Sequence, residues 1–414
     1  MVPMSRRWFI LFITSSNFFL SQFYRASNAV IANDLLVDLS LDTKGLGTIS
    51  AAFFYAFALT QIPISILLDR IGPRRMMTGL SLLGIAGAFI FANAHSMGMG
   101  LLGRILLGVG MACNFMGTLK LLTVWFKPAT FATLAGAIFS IGTVGNMAAT
   151  TPMVFLVHAV GWRYSFEIIA VVNILLVLAL YVVVRDNPPG EPSAGPEKTP
   201  QRVQSAFSGL LFLFRKKEYW IISVGSFVSY GIYAAFQTLW AGPYLTEVMG
   251  MSVMKAGHLI FLMNAGAIFG SPVWGGLSDR FFKTRKWIIT GGLVFVILIM
   301  LLFAGLPIGA GFAVLALLFV SLGFFRATAA LMYVHIKESM PLSMAGTAMT
   351  GINFFTMIGP AFFLQGLGIL MQSLYPLSSR GPDAFMASFI FCAFCLSVVT
   401  VAYAFTKDTM RTQP

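Results

Sequence analysis

Apolar runs of about twenty residues or more recur along the whole chain, and they constrain the fold before any motif does. A transmembrane helix needs roughly 20 such residues to cross a hydrocarbon core about 30 Å thick. The 414 residues are 58% hydrophobic and 10% charged, with a mean hydropathy of +0.85. That balance belongs to an integral membrane protein and not to a soluble domain. A β-barrel is excluded, because its strands would show as short alternating segments. Twelve spans are expected, at approximately Trp8–Asn33, Gly47–Leu68, Met76–Ala94, Met97–Phe126, Thr130–Val157, Tyr164–Val184, Tyr219–Thr246, Ala256–Ser278, Trp287–Leu306, Gly309–Val334, Met344–Met371 and Ala384–Phe405. The first follows Arg6 and Arg7 as a signal peptide would. It is too long for one, lacks a small-residue cleavage site, and is followed by further spans, so it is expected to be retained.

The formal charge of +13 is placed as a membrane protein places it. Of 27 Lys and Arg residues, nineteen fall in loops on the side of the termini, and Lys44, Arg163, Lys255 and Arg380 fall on the other. The positive-inside rule makes the first side cytoplasmic, with both termini inside, and argues against nucleic acid as the partner of the charge. Between the sixth and seventh spans the Pro-rich stretch Asp186 to Pro200 cannot pack a core and reads as a cytoplasmic linker. It divides the chain into a six-span half at 1–187, a linker at 188–217 and a second six-span half at 218–414. Paired halves rocking about a midplane site are a recurring transporter plan. Cys113, Cys392 and Cys395 lie in apolar runs without His partners and read as small apolar residues. No catalytic residue, metal site or cofactor is expected.

Arg25, Arg104, Lys120 and Arg326 remain, inside spans. Arg25 lies roughly 25 Å along the helix from Trp8, where a cation costs about 2.5–3.5 kcal/mol on insertion scales unless it is paired or faces a water-filled cavity. All fourteen acids fall in loops, in tails or within a turn or two of a span end, so no carboxylate occupies the membrane centre. Excess central positive charge implies an anionic cargo. It also leaves coupling open between exchange for a counter-anion, a proton brought by the cargo, and a histidine. His258 and His335 lie near helix ends and read as interfacial polar groups.

The loop Ser65-Ile66-Leu67-Leu68-Asp69-Arg70-Ile71-Gly72-Pro73-Arg74-Arg75 is repeated 210 residues later as Gly275-Gly276-Leu277-Ser278-Asp279-Arg280-Phe281-Phe282-Lys283-Thr284-Arg285-Lys286. Both resemble the signature loop of the major facilitator superfamily, with Ser65 and Phe282 where that loop has glycine. The resemblance implies an all-α membrane protein with twelve helices in two six-helix pseudo-symmetric bundles, working by alternating access. It makes Asp69, Arg70, Arg74, Asp279 and Arg280 gating residues. Arg104, followed by Gly108 and Gly110, is similar to the superfamily's fourth-helix motif and is grouped with them; a structural role stands beside direct substrate contact. Lys120, five residues before Trp125-Phe126, resembles the anion:cation symporter branch of galactonate, sialic acid and glutamate carriers. That branch has arginine there, and lysine loses the bidentate carboxylate geometry. Arg25, after an aromatic residue, resembles the substrate arginine of that branch and of glycerol phosphate carriers.

Arg25, Arg326 and Lys120, in that order, are therefore expected to bind an anionic substrate. The alternatives are snorkelling for Lys120 and a pairing with backbone or Asp34 for Arg25. Tyr24, Asn28, Tyr230, Tyr233, Gln237 and Asn353 are expected beside them, with Gln22, Asn114, Asn146, Trp240 and Asn264 as further polar or aromatic residues amid apolar runs. Tyr230, Tyr233 and Gln237, spaced i, i+3 and i+7, should share one helix face. The fifth span lacks the family's antiporter motif. The expected function is secondary transport of a small organic anion by a monomer in the bilayer of the cytoplasmic (inner) membrane, coupled to protons or a counter-anion. Three rivals stand: an exporter of drugs or lipophilic compounds, a carrier of a larger anionic chelate, and a receptor on the same fold.

Overall fold

The computed structural model describes residues 4–188, 213–340 and 345–410; the side chains of residues 4–5, 65–66, 69, 128–129, 132–133, 345–347 and 350 lie outside the described set. Most of the expected linker and the side chain of Asp69 therefore lie outside it. The described residues are almost entirely helical, without strands. In chain order the helices are α1 (Met4–Ala26), α2 (Asn28–Asp38), α3 (Thr43–Ile71), α4 (Pro73–Ala92), α5 (Met97–Met111), α6 (Asn114–Trp125), α7 (Pro128–Ala148), α8 (Thr151–Val183), α9 (Lys217–Ala235), α10 (Val253–Gly276), α11 (Lys286–Gly305), α12 (Phe312–Arg326), α13 (Leu331–Glu338), α14 (Ala345–Leu374) and α15 (Pro382–Ala404).

Several expected spans are two helical pieces. The first is α1 and α2, interrupted at Ser27; the fourth is α5 and α6; the fifth is α7 and the part of α8 before its kink at Gly161 (φ +81°); the tenth is α12 and α13, joined by a 3-10 turn at Ala327–Ala330. The seventh, α9, continues through π-helical turns at Phe236–Trp240 and Tyr244–Val248. Ten described segments are long and apolar enough to cross a membrane. The broken first span, carrying Ser15, Ser16, Asn17, Ser21, Gln22 and Arg25, is not among them, and α7 contributes the shorter apolar stretch Leu134–Ala148.

The chain divides into two compact units, Met1–Leu41 with Ala52–Pro200, and Asp42–Ala51 with Gln201–Pro414. In the second, the first turns of α3 are held by Thr43 Oγ1 to Ser379 Oγ at 2.6 Å and by Gln365 Nε2 donating to Thr48 Oγ1 at 3.5 Å.

Helices in a bilayer gain little from hiding apolar surface from lipid, so close backbone approach and dispersion must hold them together. In the first unit α4 and α5 touch through Gly87 and Gly103. A Cβ on Gly103 would stand 2.7 Å from Phe91 N and 2.9 Å from Gly87 O. Gly103→Ala is expected to destabilise by roughly 1–3 kcal/mol, read as a lowered melting temperature in detergent. Gly79→Ala on α4, whose Cβ would meet nothing within 4 Å, should show no loss.

Candidate functional site

In the first unit, Arg25 occupies the last turn of α1. The carbonyls left unbonded where a helix stops carry partial negative charge, worth roughly 0.3–1 kcal/mol to a nearby cation and more when partly buried. The arginine is 8% exposed, its Nη2 donates to Asn146 Oδ1 at 3.5 Å, and its guanidinium lies 6.0 Å from the Phe54 ring. Arg104 finishes the helix end beneath it. That residue is fully buried, stacks on Phe53 at 4.9 Å and Phe91 at 5.7 Å, and donates from Nη1 to the Tyr24 carbonyl at 2.9 Å. Ser27 Oγ donates to the same carbonyl at 3.1 Å.

Tyr24 is fully buried with its ring 6.0 Å from Phe166, so it packs the unit's interior. Asn28 is buried in the first turn of α2. Lys120 is half-buried on α6.

The second unit gathers its candidates more tightly. Arg326 is the last residue of α12, directly before the 3-10 turn, so it too sits at a helix C-terminus. Its guanidinium lies 4.7 Å from the Tyr230 ring and 4.9 Å from the Tyr233 ring, both on α9. Two cation–π contacts, each worth about 0.5–2 kcal/mol, are comparable with the roughly 2.5–3.5 kcal/mol cost of an intramembrane arginine. No carboxylate pairs with Arg326 among the described residues, and its buried Nε has no hydrogen-bond partner among them. Tyr333 lies within electrostatic range of Arg326 and Tyr230. Its hydroxyl donates to Asn353 Oδ1 on α14 at 3.1 Å. Below them Ser226 Oγ and Thr356 Oγ1 join α9 to α14.

Gln237 departs from the expected stripe. It donates to Asn264 Oδ1 on α10, whose own Nδ2 donates to the Ile260 carbonyl. The spacing argument assumed 3.6 residues per turn, but the π-helical turn beginning at Phe236 changes the register just before Gln237.

At the two motif loops, sequence reasoning missed the acceptors. Gly72 has φ +86°, favourable only for glycine, and a Cβ there would run into the Asp186 carboxylate. Asp186 Oδ1 accepts from Arg74 N at 2.7 Å in the first turn of α4, while Arg74 Nε donates to the Tyr181 carbonyl at 2.9 Å. In the second copy Asp408 accepts from Arg285 N at 3.1 Å in the same way. Tyr181/Asp186 and Tyr403/Asp408 are both pairs five residues apart at a half's last helix end, a repeat legible in the sequence.

Arg285, rather than Arg280, carries the second clamp. It pairs with Asp279 and with Glu338 at 3.1 Å, whereas Arg70 and Arg280 are exposed. Burial opposes the charge on Arg285, and the hydrogen bonds to Glu338 and Asp279 outweigh it, holding the guanidinium pKa above its ordinary value. His335, in the last turn of α13, is fully buried within the protein: Nδ1 meets Tyr403 Oη at 2.6 Å and Nε2 meets the Lys407 carbonyl at 2.8 Å.

A family model described as Major Facilitator Superfamily matches residues 9–364. The chain belongs to the Major Facilitator Superfamily. Among curated Major Facilitator Superfamily transporters it is 25% identical over 380 residues to a probable sulfoacetate transporter of Cupriavidus necator, covering 86% of each chain. It is 23% identical over 418 residues to a probable galactarate/D-glucarate transporter of Escherichia coli strain K12, covering 94% of this chain and 91% of the other. The superfamily fold is shared with a solved bacterial homolog of the human lysosomal transporter Spinster, at a TM-score of 0.79 and 19% identity over 99% of this chain and 98% of that one. This chain is accordingly a multi-pass membrane transporter, and its signature loops are the two copies described above.

Proposed function

We propose that the chain is a secondary active transporter of a small organic anion, a carboxylate in particular, working by alternating access of its two six-helix halves (1–187 and 218–414, joined by the linker 188–217). The observation that carries this reading is Arg326, seated on two tyrosine faces with no carboxylate partner among the described residues. A guanidinium so held presents a fork of donors that matches a carboxylate. Arg25, with Asn146, is the corresponding cation of the first unit. The relatives' names support the reading, since sulfoacetate, galactarate and D-glucarate are organic anions. The asymmetry of basic loops supports an inner-membrane orientation with both termini cytoplasmic.

Proteoliposomes loaded with purified protein test the proposal with radiolabelled D-glucarate, galactarate and sulfoacetate. Saturable uptake of at least one, competed by the unlabelled anion, is the expected result. An imposed pH gradient and preloaded counter-anion then separate proton coupling from exchange. Transport of a cationic amphiphile with no uptake of any anion would overturn the reading in favour of an exporter of lipophilic compounds.

A further inference from the structure

Tyr333 is absent from the set that sequence spacing marks, yet it links the two parts of the second-unit cradle. Its hydroxyl donates to Asn353 Oδ1 at 3.1 Å, with the Thr356 hydroxyl as a second hydrogen-bonding neighbour on the same helix and Tyr230 and Arg326 within electrostatic range. An asparagine amide has one acceptor end and one donor end, and the partner of one end decides what the other presents. With Oδ1 taken by Tyr333, Asn353 keeps the two N–H donors of Nδ2. No other hydrogen bond engages that amide among the described residues. Were the amide turned over, its oxygen would face an anion and repel it.

We infer that Tyr333 is a positioning residue that fixes Asn353 as a donor, so that Arg326 and Asn353 together form an all-donor cradle. The ligand class it takes is an oxyanion accepting at more than one oxygen, a carboxylate or sulfonate, in preference to a neutral molecule of the same size. This rests on the anion reading of Arg326. It assigns the second unit a recognition role through α13 and α14 in addition to the arginine. The Ser226–Thr356 contact joins α14 to α9 directly, so the helices remain tied in a variant that lacks the Tyr333 hydroxyl.

The inference is tested with D-glucarate and sulfoacetate as probes, read as apparent KM in proteoliposomes and as thermal stabilisation of the purified protein. Tyr333→Phe keeps the ring and loses the donor. It should raise apparent KM by about 10- to 100-fold, the size expected for one hydrogen bond to a charged ligand, with maximal rate and ligand-free melting temperature unchanged. Asn353→Ala should do the same, and the double variant should be no worse than Asn353→Ala alone, because the tyrosine acts through the amide. Asn353→Asp, similar in shape but anionic, should be worse than Asn353→Ala.

Multiplied effects in the double variant, or wild-type KM in Tyr333→Phe alongside a response lost in Arg326→Ala, would overturn the positioning role and leave the anion site standing. A folded wild-type protein that responds to neither probe would count against the anion site itself, and this inference would fall with it.

Discussion

Arg326→Ala is expected to lower uptake of the transported anion by about 100-fold or more while leaving the protein folded. The size follows from what the guanidinium would contribute: two charge-assisted hydrogen bonds to a carboxylate, each worth roughly 1.5–3 kcal/mol, with about 1.4 kcal/mol corresponding to a factor of ten. Folding should survive, because the stacking lost with Tyr230 and Tyr233 is offset by relief of an intramembrane charge of comparable cost. Arg326→Lys separates charge from geometry. Lysine keeps the cation but loses the planar fork and much of the stacking, so uptake should fall to an intermediate level. Initial rates of labelled anion uptake, normalised to protein inserted in the liposomes, give the comparison. Wild-type rates in Arg326→Ala would remove the second-unit anion site.

How much of this was legible beforehand depended on what kind of signal a residue carries. The membrane class and the duplicated loops follow from hydropathy and from charged residues at matching places, which do not depend on side-chain direction. Residue type and helix face marked Arg326, Tyr230 and Tyr233 as candidates, but not the stacking of the guanidinium on the two rings. Gln237 escaped because the π-helical turn at Phe236–Trp240 has no glycine or proline to announce it.

The helix ends behind Arg25 and Arg326 escaped for the same reason. Ser27 and the stretch Ala327-Thr328-Ala329-Ala330 contain no strong breaker, so each span read as one helix. Those breaks supply a local explanation for two costly cations that the sequence could only flag: each arginine lies beside the negative end of its own helix. Discontinuous helices are a recurring way to place backbone charge at a transporter's binding site, and here the helix ends suit the protein's own cations.

That arrangement makes Arg104 the residue on which the first unit's cation depends, and Arg104→Met should dissociate activity from stability. Arg104 caps the Tyr24 carbonyl one residue before Arg25. Its removal leaves that acceptor to Ser27 alone and loosens the helix end from which Arg25 projects. Stability should change little with methionine. The replacement fills most of the volume between Phe53 and Phe91 and ends the burial of a charge, and exchanging buried ionic groups for well-packed apolar ones is often neutral or stabilising. Transport should nevertheless fall by roughly tenfold or more, since a misplacement of about 1 Å at a binding group is enough for large losses. Arg104→Ala, by contrast, opens a cavity and should lower the melting temperature as well. Parallel melting curves and uptake rates for the two variants decide the matter. Wild-type uptake in Arg104→Met would reduce Arg104 to a packing residue and detach it from the anion site, whereas a folded, inactive Arg104→Met protein ties the fourth-span arginine to the first-span one through a single carbonyl.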